Sequence, residues 1–162
     1  MECDMLVKLY EIPDDAAVNI EKQLRTHGVY IKRALSGDLT KVCDFVSSFS
    51  MLWKDEAVKG VLTNGCYIAV RGQDILGFCC FDATMPDFLG PLAVREDMRK
   101  FGIGKALVLK SLVSMKERGY AYAIIGWTGP QEFYHRVCGA ICIDGSVPGS
   151  YHNLIRVDES QL

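Results

Sequence analysis

Residues 92–107 read LAVREDMRKFGIGKAL, and this stretch decides the fold. A strand ends at Val94, and a helix begins with Gly102-Ile103-Gly104-Lys105. The first amides of a helix have no acceptors within the helix and lie at the positive end of its dipole. Two glycines let this backbone approach an anion closely, and Arg99 and Lys105 add positive charge. The stretch therefore predicts a strand, a phosphate-binding turn and a helix.

Two common phosphate motifs do not fit this turn. Walker A requires GxxxxGK[ST], and the dinucleotide fingerprint requires GxGxxG near the first strand. Here Lys105-Ala106-Leu107 follows Gly104, and the turn lies in the second half of the chain. Neither pattern is completed.

The elements after the turn predict a β-α-β crossover. The helix is expected to run to about Arg118, with apolar rows on two sides that require cover from more than one sheet face. A buried strand at 122–127, a short helix at 131–137 and two last strands at 140–144 and 151–157 follow.

The elements before the turn complete a mixed sheet. Pro91 interrupts the strand at 88–94 and predicts a bulged or locally unpaired strand. Earlier come a hairpin (66–71 and 75–81), two helices (about 39–49 and 53–62) and a strand (30–35), and a strand and a helix are predicted within residues 5–28.

Composition points to one globular domain. The 162 residues carry a net charge of −2, which argues against general nucleic-acid binding. No apolar run reaches the roughly 20 residues needed to cross a membrane, and the acidic N-terminus predicts a cytoplasmic protein. Seven scattered cysteines and three histidines offer no zinc spacing, so we expect no metal and reduced thiols packed as small core residues.

The stretch resembles the signature of the GCN5-related N-acetyltransferases (GNAT), Arg/Gln-x-x-Gly-x-Gly/Ala, at residues 99–104. EFYHRVCGA at 132–140 is similar to a later segment of that family, and the element order from 30 to 157 also agrees. The resemblance implies an α/β fold with a central, splayed, mostly antiparallel sheet flanked by helices. The family domain would span 29–162. Residues 1–28 would be an extension packed on it, adding a strand and a helix to the acceptor side or to a dimer interface.

The resemblance also implies acetyl-CoA as co-substrate. Strand backbone groups of Leu92, Ala93 and Val94 would hold the pantetheine arm, and Thr128 stands where the family often has an asparagine that contacts this arm. The pyrophosphate would be held by the turn, namely Arg99, Lys100, Phe101, Gly102, Ile103, Gly104 and Lys105.

Direct attack of an amine on the thioester is the implied reaction, with Tyr134 as the acid that protonates the leaving sulfur. The base is open between Asp82, Asp87, Glu132 and water. Cys138 lies one turn beyond Tyr134, where core packing is favoured over a covalent role, because no base or cation is placed to activate it.

The acceptor would be a small-molecule amine, with an inclination towards an amino sugar. Its expected neighbours are aromatic and acidic side chains, namely Phe49, Trp53, Asp82, Asp87, Trp127 and Tyr151. Two alternatives are open: an inactive acyl-CoA-binding regulatory module, and a nucleotide-binding protein that uses the same turn. The oligomeric state, including a homodimer, is also open.

Overall fold

The computed structural model describes residues 2–155, which contain two antiparallel sheets with strand orders β2-β3-β4-β5 and β6-β1-β7. The strands are β1 (Cys3–Lys8), β2 (Tyr30–Arg33), β3 (Cys66–Arg71), β4 (Asp74–Phe81), β5 (Leu89–Val94), β6 (Tyr122–Thr128) and β7 (Ile141–Cys142). The helices are α1 (Val18–Thr26), α2 (Leu39–Ser47), α3 (Trp53–Leu62), α4 (Ile103–Glu117) and α5 (Gln131–Cys138). The predicted class, a mixed α/β fold with mostly antiparallel sheets flanked by helices, is confirmed.

The four-stranded sheet is covered on both faces. Successive side chains of a strand point to opposite faces, so Phe78 and Cys80 pack in one core cluster, while Cys79 and Phe81 pack in the other. Helices α2 and α3 cover the first face and α4 covers the second. Helix α4 also contacts α1 and α5, which explains its two apolar rows.

Strand β1 is the central strand of the second sheet. It pairs along β6 from Lys8 opposite Tyr122 to Cys3 opposite Thr128, and Met5 on its other edge is opposite Cys142 of β7. A strand near the start of the chain therefore completes the sheet beside the β-α-β crossover.

Part of the predicted end of the chain is wrong. The strand expected at 140–144 is reduced to Ile141–Cys142, and no strand begins at Tyr151, which lies in a short 3-10 helix, Gly149–Tyr151. The rest of that predicted strand reaches residues 156 and 157, outside the described residues. The edge of β6 that a last strand would need is already paired with β1.

The expectation of reduced thiols is wrong for two cysteines. Cys3 of β1 and Cys142 of β7 form a disulfide, with their Cα atoms 6.0 Å apart. Sequence spacing cannot reveal a pair that is 139 residues apart. The other cysteines are free thiols; Cys43, Cys66, Cys79 and Cys80 are buried, and Cys138 is partly buried.

Within residues 2–155, no helix is long and apolar enough to cross a membrane. In the same range, no three His, Cys, Asp or Glu side chains cluster in a way that could hold a metal ion.

Candidate active site

The two sheets meet at one point and then separate. Phe88 and Ile124 form a parallel bridge, and the Ile124 N–H donates to the Asp87 carbonyl oxygen at 2.9 Å. Beyond this bridge β5 and β6 run in separate sheets, which leaves a gap between them. In the β4–β5 pairing, Phe81 is opposite Leu89 and Cys79 is opposite Leu92, so β5 contains one extra residue around Gly90-Pro91. The bulge predicted from Pro91 is confirmed.

The edge of β5 presents backbone groups to the gap. Arg95 N–H donates to Leu76 O at 2.8 Å, and hydrogen-bonded and non-bonded pairs alternate along an antiparallel ladder. The pairing therefore turns the N–H and C=O of Ala93 towards β4 and those of Leu92 and Val94 away from it. The backbone groups of Ala93 are thus used within the sheet, and those of Leu92 and Val94 face the gap; all three contacts with the pantetheine arm stay predictions.

The turn after β5 forms the predicted helix start. Lys100 and Gly102 have positive φ (71° and 90°), and Ala106 N–H makes the first helical bond, to Gly102 O, at 2.9 Å. The preceding amides, those of Ile103, Gly104 and Lys105, therefore have no acceptor within α4.

The side chains of the turn have different surroundings. Ile103 is buried, so only its backbone can reach a ligand, whereas Phe101 and Lys105 are exposed. The Arg99 guanidinium is held at the end of β5, with Nε 3.2 Å from Val94 O. Ile20 of α1 packs on Gly102, and a Cβ there would lie 2.6 Å from Ile20 Cδ1.

Tyr134 lies on α5 with only 7% of its surface exposed. Burial raises the pKa of its phenol well above the usual range, and the nearby Cys79 thiol adds to the shift. Since Cys79 is opposite Leu92, the phenol lies near the part of β5 that borders the gap. Such a phenol is protonated at neutral pH.

Cys138 has the environment of a packed thiol. Its Sγ donates to Tyr134 O at 3.1 Å, one helical turn back, and burial raises the pKa of the thiol to about 11. A thiol with this pKa is protonated at neutral pH and is a poor nucleophile. This agrees with the predicted packing role.

Thr128 is buried at the end of β6, and its hydroxyl donates to Ile125 O at 2.9 Å. The oxygen is thus left as an acceptor, so Thr128 is able to receive but not to donate a hydrogen bond at the gap.

Two of the three carboxylates predicted as bases are engaged elsewhere. Asp82 pairs with Arg118 at 2.7 Å and accepts from the Asp87 N–H at 2.9 Å. Glu132 has a largely exposed side chain, 3.7 Å from Arg136. Desolvation, followed by the charge of Asp82, raises the pKa of Asp87, which is half-buried in the same loop.

Only part of the predicted acceptor surface comes together. Trp53 packs on Phe78 and Phe49 on Phe45, so both belong to aromatic contacts around α2 and α3. Tyr151, in contrast, lies on the backbone of Gly126 in β6, with its ring centroid 4.9 Å from Trp127 and 6.4 Å from Phe88. These three rings form a wall beside the bridge that closes the gap.

Two functional candidates were missed from the sequence. Glu56 on α3 is half-buried and accepts a hydrogen bond on Oε1 from the Thr84 hydroxyl. Asp4 of β1 is buried, and its carboxylate accepts from Trp127 N–H at 3.1 Å, from Ser150 N–H at 2.7 Å and from the Ser150 hydroxyl. Neither residue lies in a motif, and the partners of both are distant in sequence.

Comparison with known proteins gives a family match and several similar folds. The model of the acetyltransferase (GNAT) family matches residues 38–140, more than half of the chain. No curated protein sequence matches the chain.

Three solved structures illustrate the similarity of fold. A GCN5-related glucosamine N-acetyltransferase region in a fungal multi-domain GH3 β-N-acetylglucosaminidase superposes with a TM-score of 0.68 at 14% identity, covering 88% of this chain and 20% of that one. A GCN5-related N-acetyltransferase from Sphaerobacter thermophilus gives 0.63 at 17% identity, covering 87% of this chain and 48% of that one. A Mycobacterium tuberculosis protein in complex with CoA gives 0.51 at 17% identity, covering 65% of this chain and 68% of that one. The chain thus spans at most about half the length of the first two structures.

Proposed function

Because this chain belongs to the acetyltransferase (GNAT) family, we propose that it transfers the acetyl group of acetyl-CoA to a primary amine by direct attack in a ternary complex. One observation carries the proposal. The gap that opens beyond the Phe88–Ile124 bridge is bordered by the open edge of β5, leads to the α4 turn and has Tyr134 near its side.

The residues around the gap fit the co-substrate. The backbone groups of Leu92 and Val94 are able to bond an amide-containing arm as an added strand would. At the end of β5, the free amides of Ile103, Gly104 and Lys105 suit a pyrophosphate. Arg99, Lys100, Phe101 and Gly102 complete the proposed binding turn, and Thr128 offers an acceptor oxygen on the opposite strand.

Acetyl-CoA supplies a thioester whose carbonyl carbon is attacked by the amine. Tyr134 holds a proton for the departing sulfur, and the raised pKa of its phenol keeps that proton in place at neutral pH. No covalent acetyl-enzyme is required, and the protonated Cys138 thiol supports a route without one.

We propose a small primary amine as the acceptor, with amino sugars as the first class to test. The aromatic wall formed by Trp127, Tyr151 and Phe88 suits either the C–H face of a sugar or a cationic amine. The fungal structure makes glucosamine a natural first member of the panel.

Two measurements test the proposal. Calorimetry with CoA, ATP and NAD⁺ is expected to give micromolar binding of CoA alone. Thiol release from acetyl-CoA is then followed over a panel of amino sugars, alkylamines and peptide N-termini. Turnover with at least one amine is expected. Binding of CoA without any turnover would favour the inactive regulatory module, and binding of ATP without CoA would favour the nucleotide-binding alternative.

A further inference from the structure

Glu56 is a half-buried carboxylate to which the proposed mechanism so far gives no role. It lies on α3, where the Thr84 hydroxyl donates to Oε1 and, among residues 2–155, no side chain or backbone donor contacts Oε2. Oε2 is also absent from the fully buried unpaired oxygens of the same residues, so solvent or a ligand is able to reach it. One oxygen of Glu56 is therefore positioned by the protein, and the other is available.

Thr84 connects this carboxylate to the closed end of the gap. It lies in the loop between β4 and β5, which leads directly into Phe88 and its bridge to Ile124. The Tyr151 phenol lies near Thr84 and Glu56, while the Tyr151 ring covers Gly126 of β6. Glu56, Thr84 and Tyr151 thus form a continuous group from α3 to the strands on both sides of the gap.

The neighbouring carboxylates are less suited to receive a proton from a ligand. Both oxygens of Asp82 are engaged, by the Asp87 N–H and by Arg118. The oxygens of Asp4 bind the Trp127 and Ser150 donors. Glu132 is largely exposed beside Arg136. Asp87 is the remaining candidate for the base. Within residues 2–155, no side chain donates a hydrogen bond that would orient the Asp87 carboxylate as Thr84 orients Glu56.

The surroundings of Glu56 also suit a proton acceptor. Burial raises the pKa of its carboxyl, the Thr84 hydrogen bond partly offsets this, and Asp55 and Lys59 on α3 have smaller, opposing effects. Tyr151 faces it from the 3-10 helix and Cys80 from β4, and both carry their protons at neutral pH. A base whose pKa lies nearer to neutral pH than that of an exposed carboxyl transfers protons more effectively.

We propose that Glu56 binds the protonated acceptor amine and removes its proton, in a subsite for cationic primary amines walled by Tyr151 and Trp127. This inference rests on the proposed acetyltransferase function. An N–H bond of the ammonium breaks, and its proton passes to Oε2. The freed lone pair forms the C–N bond, the C–S bond breaks, and the sulfur takes the Tyr134 proton. The phenolate recovers a proton from the new amide nitrogen, and Glu56 releases its own to water.

The test compares the pH dependence of kcat/KM for wild type, Glu56→Gln, Thr84→Val and the control Glu117→Gln, with the best amine of the panel. Glu117 is exposed at the end of α4, and in Glu56→Gln the amide oxygen of the new side chain would still accept the Thr84 hydrogen bond. Glu56→Gln is expected to lower kcat about 100-fold or more and to remove the acidic limb of the profile. CoA affinity should stay within about twofold, as measured by calorimetry.

Thr84→Val provides a second, independent readout. The Thr84 hydrogen bond lowers the pKa of Glu56, so its loss should move the acidic limb to higher pH. This shift decides the matter even if Glu56→Gln does not fold. An active wild type with unchanged profiles in both variants would overturn the role of Glu56 and leave the acetyltransferase proposal intact. A wild type that turns over no amine would overturn that proposal, and this inference with it.

Discussion

Replacement of Asp4 by alanine should destabilise the protein strongly, although the proposed mechanism gives Asp4 no chemical step. The Asp4 carboxylate, only 3% exposed, links three parts of the chain: strand β1, the Trp127 backbone at the end of β6, and Ser150. It also packs on Gly149, where a Cβ would lie 2.8 Å from Oδ2. The side chain thus holds the 3-10 helix that carries Tyr151 against the second sheet.

The expected loss follows from the donors that Asp4→Ala leaves without their acceptor. These are the N–H groups of Trp127 and Ser150 and the Ser150 hydroxyl. A buried donor without an acceptor costs about 1–3 kcal/mol. Ser150 is exposed, so water replaces part of what it loses. We therefore expect a decrease of about 2–4 kcal/mol in the free energy of unfolding, from a total of roughly 5–15 kcal/mol for a domain.

Urea unfolding followed by tryptophan fluorescence measures this decrease directly. The matched control is Asp144→Ala, an exposed aspartate in the same region, for which we expect a change below about 0.5 kcal/mol. Asp4→Asn should give an intermediate loss, because its NH₂ group would face a donor. If Asp4→Ala lowers the free energy by less than about 1 kcal/mol, the carboxylate does not anchor the segment as described.

Three further predictions concern single residues. Tyr134→Phe should lower kcat about 100-fold in the thiol-release assay while CoA affinity in calorimetry stays within about twofold; an unchanged rate would mean that the proton reaches sulfur by another route. Gly104→Val should weaken CoA binding about tenfold or more, because even a Cβ at residue 104 lies 3.4 Å from Phe133 and the branched side chain would crowd the free amides. The control is Gly37→Val, since a Cβ at Gly37 meets no atom within 4 Å. If the two variants bind CoA with equal affinity, the turn is not the CoA-binding turn. Burial raises the pKa of the Cys79 thiol from 9.0 to about 12, so this thiol ionises first in the unfolded chain and stability is lost as pH rises above about 9. Between pH 8 and 10, the free energy of unfolding measured in urea should fall by about 1.4 kcal/mol more for wild type than for Cys79→Ala. Identical losses in the two proteins would be inconsistent with a buried thiol.

The parts of the fold that the sequence predicts correctly are governed by local rules. Pro91 cannot donate to a ladder, and β5 has its bulge there. The glycine turn and the apolar rows of α4 follow from the geometry of a helix, so a short stretch of sequence is enough to recognise them. The short helix predicted at 131–137 is α5, Gln131–Cys138.

The missed features all depend on partners that are far apart in the sequence. An acidic residue in a strand such as β1 normally faces solvent, and Asp4 is buried only because Ser150 and Trp127 bring their donors to it. Glu56 resembles any exposed helix carboxylate until Thr84, 28 residues away, is placed beside it. A short strand is predicted at residues 5–10, but the sequence does not show which neighbouring strand it will pair with.

Strand β1 brings several of these distant contacts together. It lies outside the matched family region, yet it pairs with the whole of β6, whose other side borders the gap. Through Asp4 it fixes the segment that places Tyr151 on Gly126, and through Cys3 it is bonded to β7. Within residues 2–155, the hydrogen bonds of the Asp4 side chain and the disulfide of Cys3 do not involve β5 or α4, which form the donor side of the proposed site. It follows that changes in β1 should affect recognition of the acceptor and stability more than binding of CoA, because the two halves of the site are built on different sheets.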